Sequence, residues 1–302
     1  MIEASELTKR YGKKTAVDAL SFTVRPGRVT GFLGPNGAGK STTLRLALGL
    51  HEPASGTVTV DGVRFRDRPR GLRHVGALLD ANDVHGGRTG RAHLTALARS
   101  NRIPRTRVDQ VLAEVGLTDA CRRRISGYSL GMKQRLGIAT ALLGDPPVLI
   151  FDEPLNGLDP EGVKWVRGLF RQLAAEGRTV FVSSHLMSEM EHTADELVVI
   201  GRGALIAAQS LADFAARAGG TTVTVRASDA AALAPLLTAE GATVRADDGV
   251  LTVTGLPAPR ISELAFQHRM LLHELTTHHP SLEEAFMELT ADSIEYTTGD
   301  IR

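Results

Sequence analysis

The chain has 302 residues, of which 42% are hydrophobic and 23% charged, and its formal net charge is +1. This length suits two domains with sizeable cores, and the balanced charge excludes a global attraction to nucleic acid or anionic lipid. The single cysteine, Cys121, excludes an internal disulfide and fits a reducing cytoplasm. Met1–Glu6 is acidic and leads into no apolar segment, and no stretch approaches the ~20 apolar residues of a membrane span. We therefore expect neither a signal peptide nor a transmembrane helix.

The first 60 residues predict short strands and one helix. Short apolar segments punctuated by glycine are typical of β-strands. The predicted strands are Ile2–Leu7, Ala19–Val24, Val29–Leu33 and Thr57–Val60. Lys40–Leu50 has apolar residues at helical spacing. Asp61-Gly62 after the fourth strand predicts a hairpin turn.

The middle of the chain predicts helices and then alternating strands and helices. Thr89–Leu143 has mostly helical spacing, and a buried strand, Val148–Phe151, follows Pro146-Pro147. A helix at Glu161–Gly177, in which Trp165 is expected in the core, leads to a strand at Thr179–Ser183. This rhythm predicts an α/β fold with a mostly parallel sheet flanked by helices.

Gly219-Gly220 marks a predicted boundary between a domain at 1–218 and a second at 219–302. The later segments follow the order β-α-β-β-α-β, which predicts a small α+β module of the split βαβ kind. These segments are Thr221–Arg226, Ala230–Ala239, Ala242–Ala246, Val250–Thr254, Ile261–Met270 and Leu271–Thr276. Asp247-Asp248-Gly249 is a hairpin signal, and Ser281–Thr290 predicts a final amphipathic helix.

A glycine-rich segment between a predicted strand and a predicted helix matches the pattern G-x-x-x-x-G-K-[ST]. It consists of Gly34, Pro35, Asn36, Gly37, Ala38, Gly39, Lys40, Ser41 and Thr42. Glycine lets backbone N–H groups turn toward phosphate oxygens, and the helix N-terminus adds a partial positive charge. Lys40 can add a full charge at the β- and γ-phosphates, and the Ser41 hydroxyl can ligate Mg²⁺. The segment predicts a nucleoside triphosphate site, with an ordinary glycine-rich turn as the alternative.

Two carboxylates follow the apolar strand Val148–Phe151. The strand delivers Asp152 to the edge of the sheet, where it can help to hold Mg²⁺. Glu153 is then placed to polarise a water for attack on the γ-phosphate. Two adjacent acids alone are more often a solvated strand end, but beside a phosphate-binding loop the catalytic interpretation is favoured.

Further motifs resemble those of ABC transporter ATPases, in the branch that serves drug and antibiotic exporters. Tyr128–Arg135 resembles the family's signature sequence, Asn156–Asp159 its D-loop and Ser183–His185 its switch histidine, while Tyr11 falls where the family stacks an aromatic ring on adenine. The motifs follow the family's order over about residues 2–208. The resemblance implies an ABC ATPase domain with an N-terminal antiparallel β part and a helical subdomain at about 82–143.

The resemblance also implies how the site works. In the family, two ATPase subunits face each other head to tail, and each ATP lies between one phosphate loop and the opposite signature. Ser129 and the backbone of Gly131 would then meet the γ-phosphate across the interface. Asp159 would belong to the D-loop, and His185 would contact the γ-phosphate and orient the attacking water.

The implied ligands are ATP and Mg²⁺. The implied partners are a second ATPase subunit in a homodimer and separate integral membrane transporter subunits, with no nucleic acid. These partners imply a peripheral location on the cytoplasmic face of the membrane. Ser281–Thr290 resembles the tail of exporter ATPases of the bacitracin and daunorubicin kind, which implies a drug-like, antibiotic or lipid-like cargo.

Three positions depart from the family pattern. The signature has Leu130 where the broad family has glycine, and Met132 where it usually has glutamine. Asp80 stands at the end of Val75–Asp80, where the family's Q-loop carries glutamine. A carboxylate there can ligate Mg²⁺ or couple to a partner, or it can simply cap the following loop.

Three other functions compete with a transporter ATPase. A non-transport ABC ATPase acting on ribosomes or nucleic acid usually has two cassettes or a long coiled coil, whereas this chain has one cassette and no sustained heptads. A P-loop kinase would have no use for a signature or a D-loop. A module that switches on ATP without turnover is kept open by Asp80.

Overall fold

The computed structural model describes residues 1–217, 222–247, 249–278 and 282–290. Its backbone divides into two compact units, the first formed mainly by Met1–Leu211 and the second by Ala212–Glu288. In the described part of the chain, no helix combines the length and the apolar character needed to cross a membrane.

The first unit mixes helices and strands. Its strands are β1 (Ile2–Tyr11), β2 (Lys14–Val24), β3 (Arg28–Leu33), β4 (Ser55–Val60), β5 (Val75–Leu78), β6 (Val148–Phe151), β7 (Thr179–Ser184), β8 (Glu196–Gly201) and β9 (Ala204–Ser210). Its helices are α1 (Lys40–Ala47), α2 (Gly90–Ser100), α3 (Arg105–Glu114), α4 (Leu130–Leu142), α5 (Pro160–Ala175) and α6 (Met187–Glu191), and α7 (Leu211–Arg217) follows. Short 3₁₀ turns lie at Phe65–Asp67, Gly71–Arg73 and Ile125–Gly127.

A six-stranded sheet in the order β5-β6-β7-β3-β8-β9 forms the centre of the first unit. All neighbouring strands are parallel except β8 and β9, so the predicted mostly parallel sheet is confirmed. Every residue of β6 and β7 is buried. Strands inside a parallel sheet are usually buried on both faces, and β6 is accordingly apolar throughout.

An antiparallel sheet in the order β2-β1-β4 shares a hydrophobic core with the central sheet. Within that core Phe22 stacks on Phe32, with 5.7 Å between ring centroids, and Phe32 on Phe181 at 5.0 Å. Strands β1 and β2 are longer than predicted because polar, exposed residues continue the ladder up to the turn at Gly12, whose φ is +57°.

The hairpin turn predicted at Asp61-Gly62 is confirmed, because both residues have a positive φ and Val60 and Val63 exchange backbone hydrogen bonds of 2.9 and 3.1 Å across it. β4 pairs antiparallel with β1, beginning with Val60 opposite Ile2, and only an isolated bridge joins Val60 to Val63 beyond it. Beyond this turn the chain enters the 3₁₀ turn at Phe65–Asp67, so the full-length partner of β4 is β1, and this pairing places the apolar residues of β4 against the core.

Helices α2, α3 and α4 fill most of the predicted helical subdomain, and their presence confirms the helical spacing of Thr89–Leu143. Thr89 caps α2 by accepting a hydrogen bond from the backbone N–H of Ala92. The expectation that Trp165 lies in the core is wrong. Its ring is only partly buried and lies under the guanidinium of Arg135, whose carbon is 4.7 Å from the ring centroid.

The second unit has the predicted order β-α-β-β-α-β. Its elements are β10 (Thr222–Ala227), α8 (Ala230–Ala239), β11 (Thr243–Asp247), β12 (Val250–Thr254), α9 (Ala258–Gln267) and β13 (Leu272–His278), and α10 (Leu282–Thr290) follows. The sheet order is β11-β12-β10-β13, all antiparallel. Its core is separate and includes Val223, Leu233 and Leu251. The predicted boundary at Gly219-Gly220, and also Thr221, Asp248 and Ser281, lie outside the described residues.

Candidate nucleotide site

Three neighbouring parallel strands bring the predicted site segments to one edge of the central sheet. β3 leads into the phosphate loop, β6 into Asp152-Glu153, and β7 into Ser184-His185. β7 lies between β6 and β3 in the sheet. Because the carboxyl ends of parallel strands share one edge, these segments meet there, which is where open α/β sheets bind ligands.

The phosphate loop has a backbone that requires glycine at specific positions. Gly37 and Gly39 have φ values of +84° and +102°, which side chains rarely adopt. A methyl group at Gly39 would also overlap the carbonyl oxygen of Ala16, and one at Gly34 would lie 2.6 Å from the carbonyl oxygen of Ile200. Gly39 is the N-cap of α1, so the loop turns directly into a helix N-terminus. This conformation suits backbone N–H donation to an anion.

Lys40 lies almost fully buried in the loop, with 6% of its side chain exposed. Its Nζ donates to the carbonyl oxygen of Gly34 at 2.6 Å and lies 3.6 Å from Oε1 of Glu153. Burial lowers the pKa of Lys40, and the nearby carboxylates of Glu153 and Asp152 partly oppose that effect. A buried ammonium beside a glycine-rich helix N-terminus fits a site that receives phosphate oxygens.

Asp152 is held by the neighbouring strands. Its Oδ1 accepts a 2.5 Å hydrogen bond from Oγ of Ser183, and the same Oγ accepts from the backbone N–H of Glu153 at 2.9 Å. The backbone N–H of Asp152 donates to the carbonyl oxygen of Leu78 on β5 at 2.8 Å. With only 9% of its surface exposed, Asp152 has a fixed orientation at the end of β6. Ser183 was expected only as part of the motif before His185, and its role in orienting Asp152 comes from the pairing of β6 with β7.

Glu153 joins the phosphate loop to the predicted switch histidine. Its Oε2 lies 2.9 Å from Nδ1 of His185, and its Oε1 faces Lys40. The Glu153 backbone has a φ of +48°, an uncommon left-handed conformation for a residue with a side chain. A carboxylate held between an imidazole and an ammonium can accept a proton from water, and the histidine can orient that water.

The phosphate loop and Glu153 line an open cleft of about 350 Å³, together with Tyr11, Lys14 and Ala16. The remaining lining residues are Pro35, Asn36, Gly37, Ala38, Gly39, Lys40, Ser41 and Thr42. Oη of Tyr11 lies 2.7 Å from Nδ1 of His51, and Nζ of Lys9 lies 5.1 Å from the centroid of the Tyr11 ring. His51 is not predicted from the sequence, because no motif connects it with a tyrosine 40 positions earlier.

The signature residues stand at the start of α4. The Oγ of Ser129 accepts a hydrogen bond from the N–H of Met132, so Ser129 is the N-cap, and Leu130 and Gly131 begin the helix. Ser129, Leu130, Gly131 and Met132 are not among the described residues that line the cleft. Asp159 is likewise an N-cap, since its Oδ1 accepts from the N–H of Gly162 at 2.9 Å at the start of α5.

Asp80 caps its own loop. Its Oδ1 accepts a 2.8 Å hydrogen bond from the N–H of Asn82, which agrees with the loop-capping alternative. Within the described ranges there is no group of three or more His, Cys, Asp or Glu side chains placed to hold a metal ion. Asn82 also accepts a hydrogen bond at 3.0 Å from Nζ of Lys133 on α4, which ties this loop to the helix that carries the signature.

This fold and this site define an α/β protein that binds a nucleoside triphosphate. A family profile described as "ABC transporter" matches residues 17–156, and one described as a domain of unknown function matches residues 221–283. The chain is 35% identical to YhcH of Bacillus subtilis, an uncharacterized ABC transporter ATP-binding protein, over 98% of this chain and 97% of the relative. It is 43% identical to the bacitracin transport ATP-binding protein BcrA of Bacillus licheniformis, over 68% of each chain.

Among solved structures, the chain is similar to one described as the ATP binding subunit of an ABC transporter. The TM-score is 0.66 at 27% identity, over 72% of this chain and 92% of the other. The chain belongs to the ABC transporter ATP-binding proteins, which hydrolyse ATP to energise transport. The predicted family and fold class are therefore confirmed.

Proposed function

We propose that the chain hydrolyses ATP to drive export of a drug-like, antibiotic or lipid-like molecule through separate membrane subunits at the cytoplasmic face of the membrane. The contact of Glu153 with both Lys40 and His185 supports turnover at this site most directly. The similarity to a bacitracin transport protein supports export of an antibiotic-like cargo. We further propose that residues 1–218 form the ATPase domain and residues 219–302 an accessory domain.

The residues present fit a magnesium–triphosphate ligand. Lys40 would pair with phosphate oxygens, and the backbone N–H groups of the loop would surround them. Ser41 and Asp152 would hold Mg²⁺, which would neutralise part of the phosphate charge. Asp80 stays a proposed additional metal or coupling residue. Tyr11 would stack on the adenine ring from the side of the cleft.

In this proposal Glu153 acts as the general base and His185 orients the attacking water. The helix N-terminus at Ser129 and Gly131 would complete the site of a second copy of this chain, because an N-terminal turn with free N–H groups suits a γ-phosphate. Two copies would then be held together while triphosphate is present and released after hydrolysis.

Glu153→Gln tests this function. The amide cannot accept the proton, so we expect ATP turnover to fall at least about 100-fold, in line with the usual contribution of a general base. ATP binding should persist, and in ATP the variant should elute as a dimer bound to an integral membrane protein. The measurements are phosphate release and affinity purification from solubilised membranes.

Glu161→Gln is a matched control, because Glu161 is an exposed acid in the first turn of α5. It should hydrolyse ATP as wild type does. Undiminished turnover in Glu153→Gln would show that Glu153 is not the base. Recovery of the trapped variant with ribosomes instead of a membrane protein would favour the non-transport alternative, and a phosphorylated acceptor would favour a kinase.

A further inference from the structure

Leu130 at the start of the signature helix packs directly over Gly157 in the D-loop. A methyl group built on Gly157 would lie 2.5 Å from Cγ of Leu130 and would overlap its Cδ2. The side chain of Leu130 is nevertheless 46% exposed, so only its inner side occupies this space. The leucine therefore fills the volume that any larger residue at position 157 would need.

Two further contacts join the same segments. The buried amide of Gln134, one turn farther along α4, donates to the carbonyl oxygens of Asn156 at 3.1 Å and Glu153 at 3.5 Å. A methyl group on Gly131 would lie 3.2 Å from the carbonyl oxygen of Gly157. The first two turns of α4 thus contact the backbone from Glu153 to Gly157 with little free space between them.

We propose that Leu130 is a positioning residue whose fit over Gly157 holds the γ-phosphate-binding end of α4 in place. Ser129 and Gly131, which flank it, present the hydroxyl and the N–H groups of that end. The leucine and the glycine act as a pair, since one supplies the side chain and the other the space. The inference rests on the proposed function, in which this end of α4 serves the ATP of a second copy.

The test is a double-mutant cycle on the full-length chain. Gly157→Ala should force Leu130 aside and lower kcat about tenfold, the rate equivalent of overpacking by ~1–2 kcal/mol. ATP affinity by titration calorimetry should stay within about twofold, because Gly157 does not line the cleft and couplings of this size reach only residues in contact. In a Leu130→Gly background the same Gly157→Ala change should cost about twofold or less, because the space is empty.

Gly157 has a φ of +76°, so an alanine there also strains the backbone, and Gly177→Ala is the control for this strain. Gly177 has a φ of +86° and nothing within 4 Å of an added methyl group, so that variant has the strain without the overlap and should keep the wild-type kcat. An equal loss from Gly157→Ala with and without Leu130 would overturn the proposal, as would no loss at all.

A second measurement does not depend on turnover. Hydrogen exchange at the amides of Met132 and Lys133, measured without nucleotide, reports how firmly the packing of Leu130 over Gly157 holds the start of α4. Exchange should be faster in Gly157→Ala than in wild type, and the added methyl group should change it little in the Leu130→Gly background. Unchanged exchange in Gly157→Ala would overturn the pairing even if the chain proved inactive. Undiminished ATP turnover in Glu153→Gln would instead contradict the proposed function, and it would not change the meaning of the hydrogen-exchange result.

Discussion

At the scale of single residues, Tyr11 shows how a side chain outside the phosphate loop is oriented toward the cleft. Its hydroxyl contacts Nδ1 of His51, and the two rings are 5.9 Å apart at 79°. Partial burial, followed by the charges of Lys9 and Arg45, lowers the pKa of His51. A neutral imidazole at neutral pH lets Nδ1 accept the hydrogen bond from the tyrosine, so we infer that His51 holds the ring in its orientation.

His51→Ala should therefore raise the KM for ATP about 2- to 10-fold, the equivalent of one ordinary hydrogen bond, and leave kcat unchanged. Tyr11→Phe should have the same effect, because it keeps the stacking ring and loses the hydroxyl. The double variant should be no worse than either single one, as measured by steady-state kinetics. Additive losses would mean that the two side chains act separately.

At the scale of elements, the start of α5 depends on Asp159. Pro160 occupies the first turn, where its fixed φ suits a helix, and Asp159 satisfies the N–H of Gly162. The same carboxylate lies in the segment proposed as the D-loop. Its structural and functional roles can be separated because asparagine caps a helix about as well as aspartate.

Asp159→Ala should lower the free energy of unfolding by about 1 kcal/mol, and Asp159→Asn by only a few tenths. If the charge has the proposed D-loop role, Asp159→Asn will still lower ATP turnover. Asp229→Ala, which removes the equivalent cap of α8, should lower stability similarly and leave turnover unchanged. Denaturant unfolding and phosphate release measure both effects. Wild-type turnover in Asp159→Asn would leave capping as the only role of this residue.

At the scale of the whole molecule, the described residues include a separate hydrophobic core in each of the two units. One joins the N-terminal antiparallel sheet to the central sheet, and the other lies between the four-stranded sheet and the helices α8 and α9. Leu44 of α1 and Leu233 of α8 are both fully buried, one in each core. Each core can be perturbed by a substitution of the same chemistry.

Leu233→Ala should destabilise the second unit by about 2–5 kcal/mol, since a buried leucine leaves a cavity. Hydrogen-exchange protection should fall in β10 and β12 and persist in β3 and β6. Leu44→Ala should produce the opposite pattern and also weaken ATP binding, because Leu44 lies in the helix that follows the phosphate loop. Equal loss of protection in both units after Leu233→Ala would contradict this assignment of the cores.

Features that depend on short segments are predictable from the amino-acid order alone. The phosphate loop needs glycines and a lysine at fixed spacing, buried parallel strands need continuous apolar residues, and the β-α-β-β-α-β order follows from local periodicity. The residue types of Asp152, Glu153 and His185 likewise predict a hydrolytic site.

Contacts between residues far apart in the chain emerge only from the three-dimensional fold. The pairing of β4 with β1, the contact of Ser183 with Asp152, the contact of His51 with Tyr11 and the fit of Leu130 over Gly157 all join segments without a shared motif. Such contacts depend on strand order and on the space left between packed elements, and a local pattern contains neither.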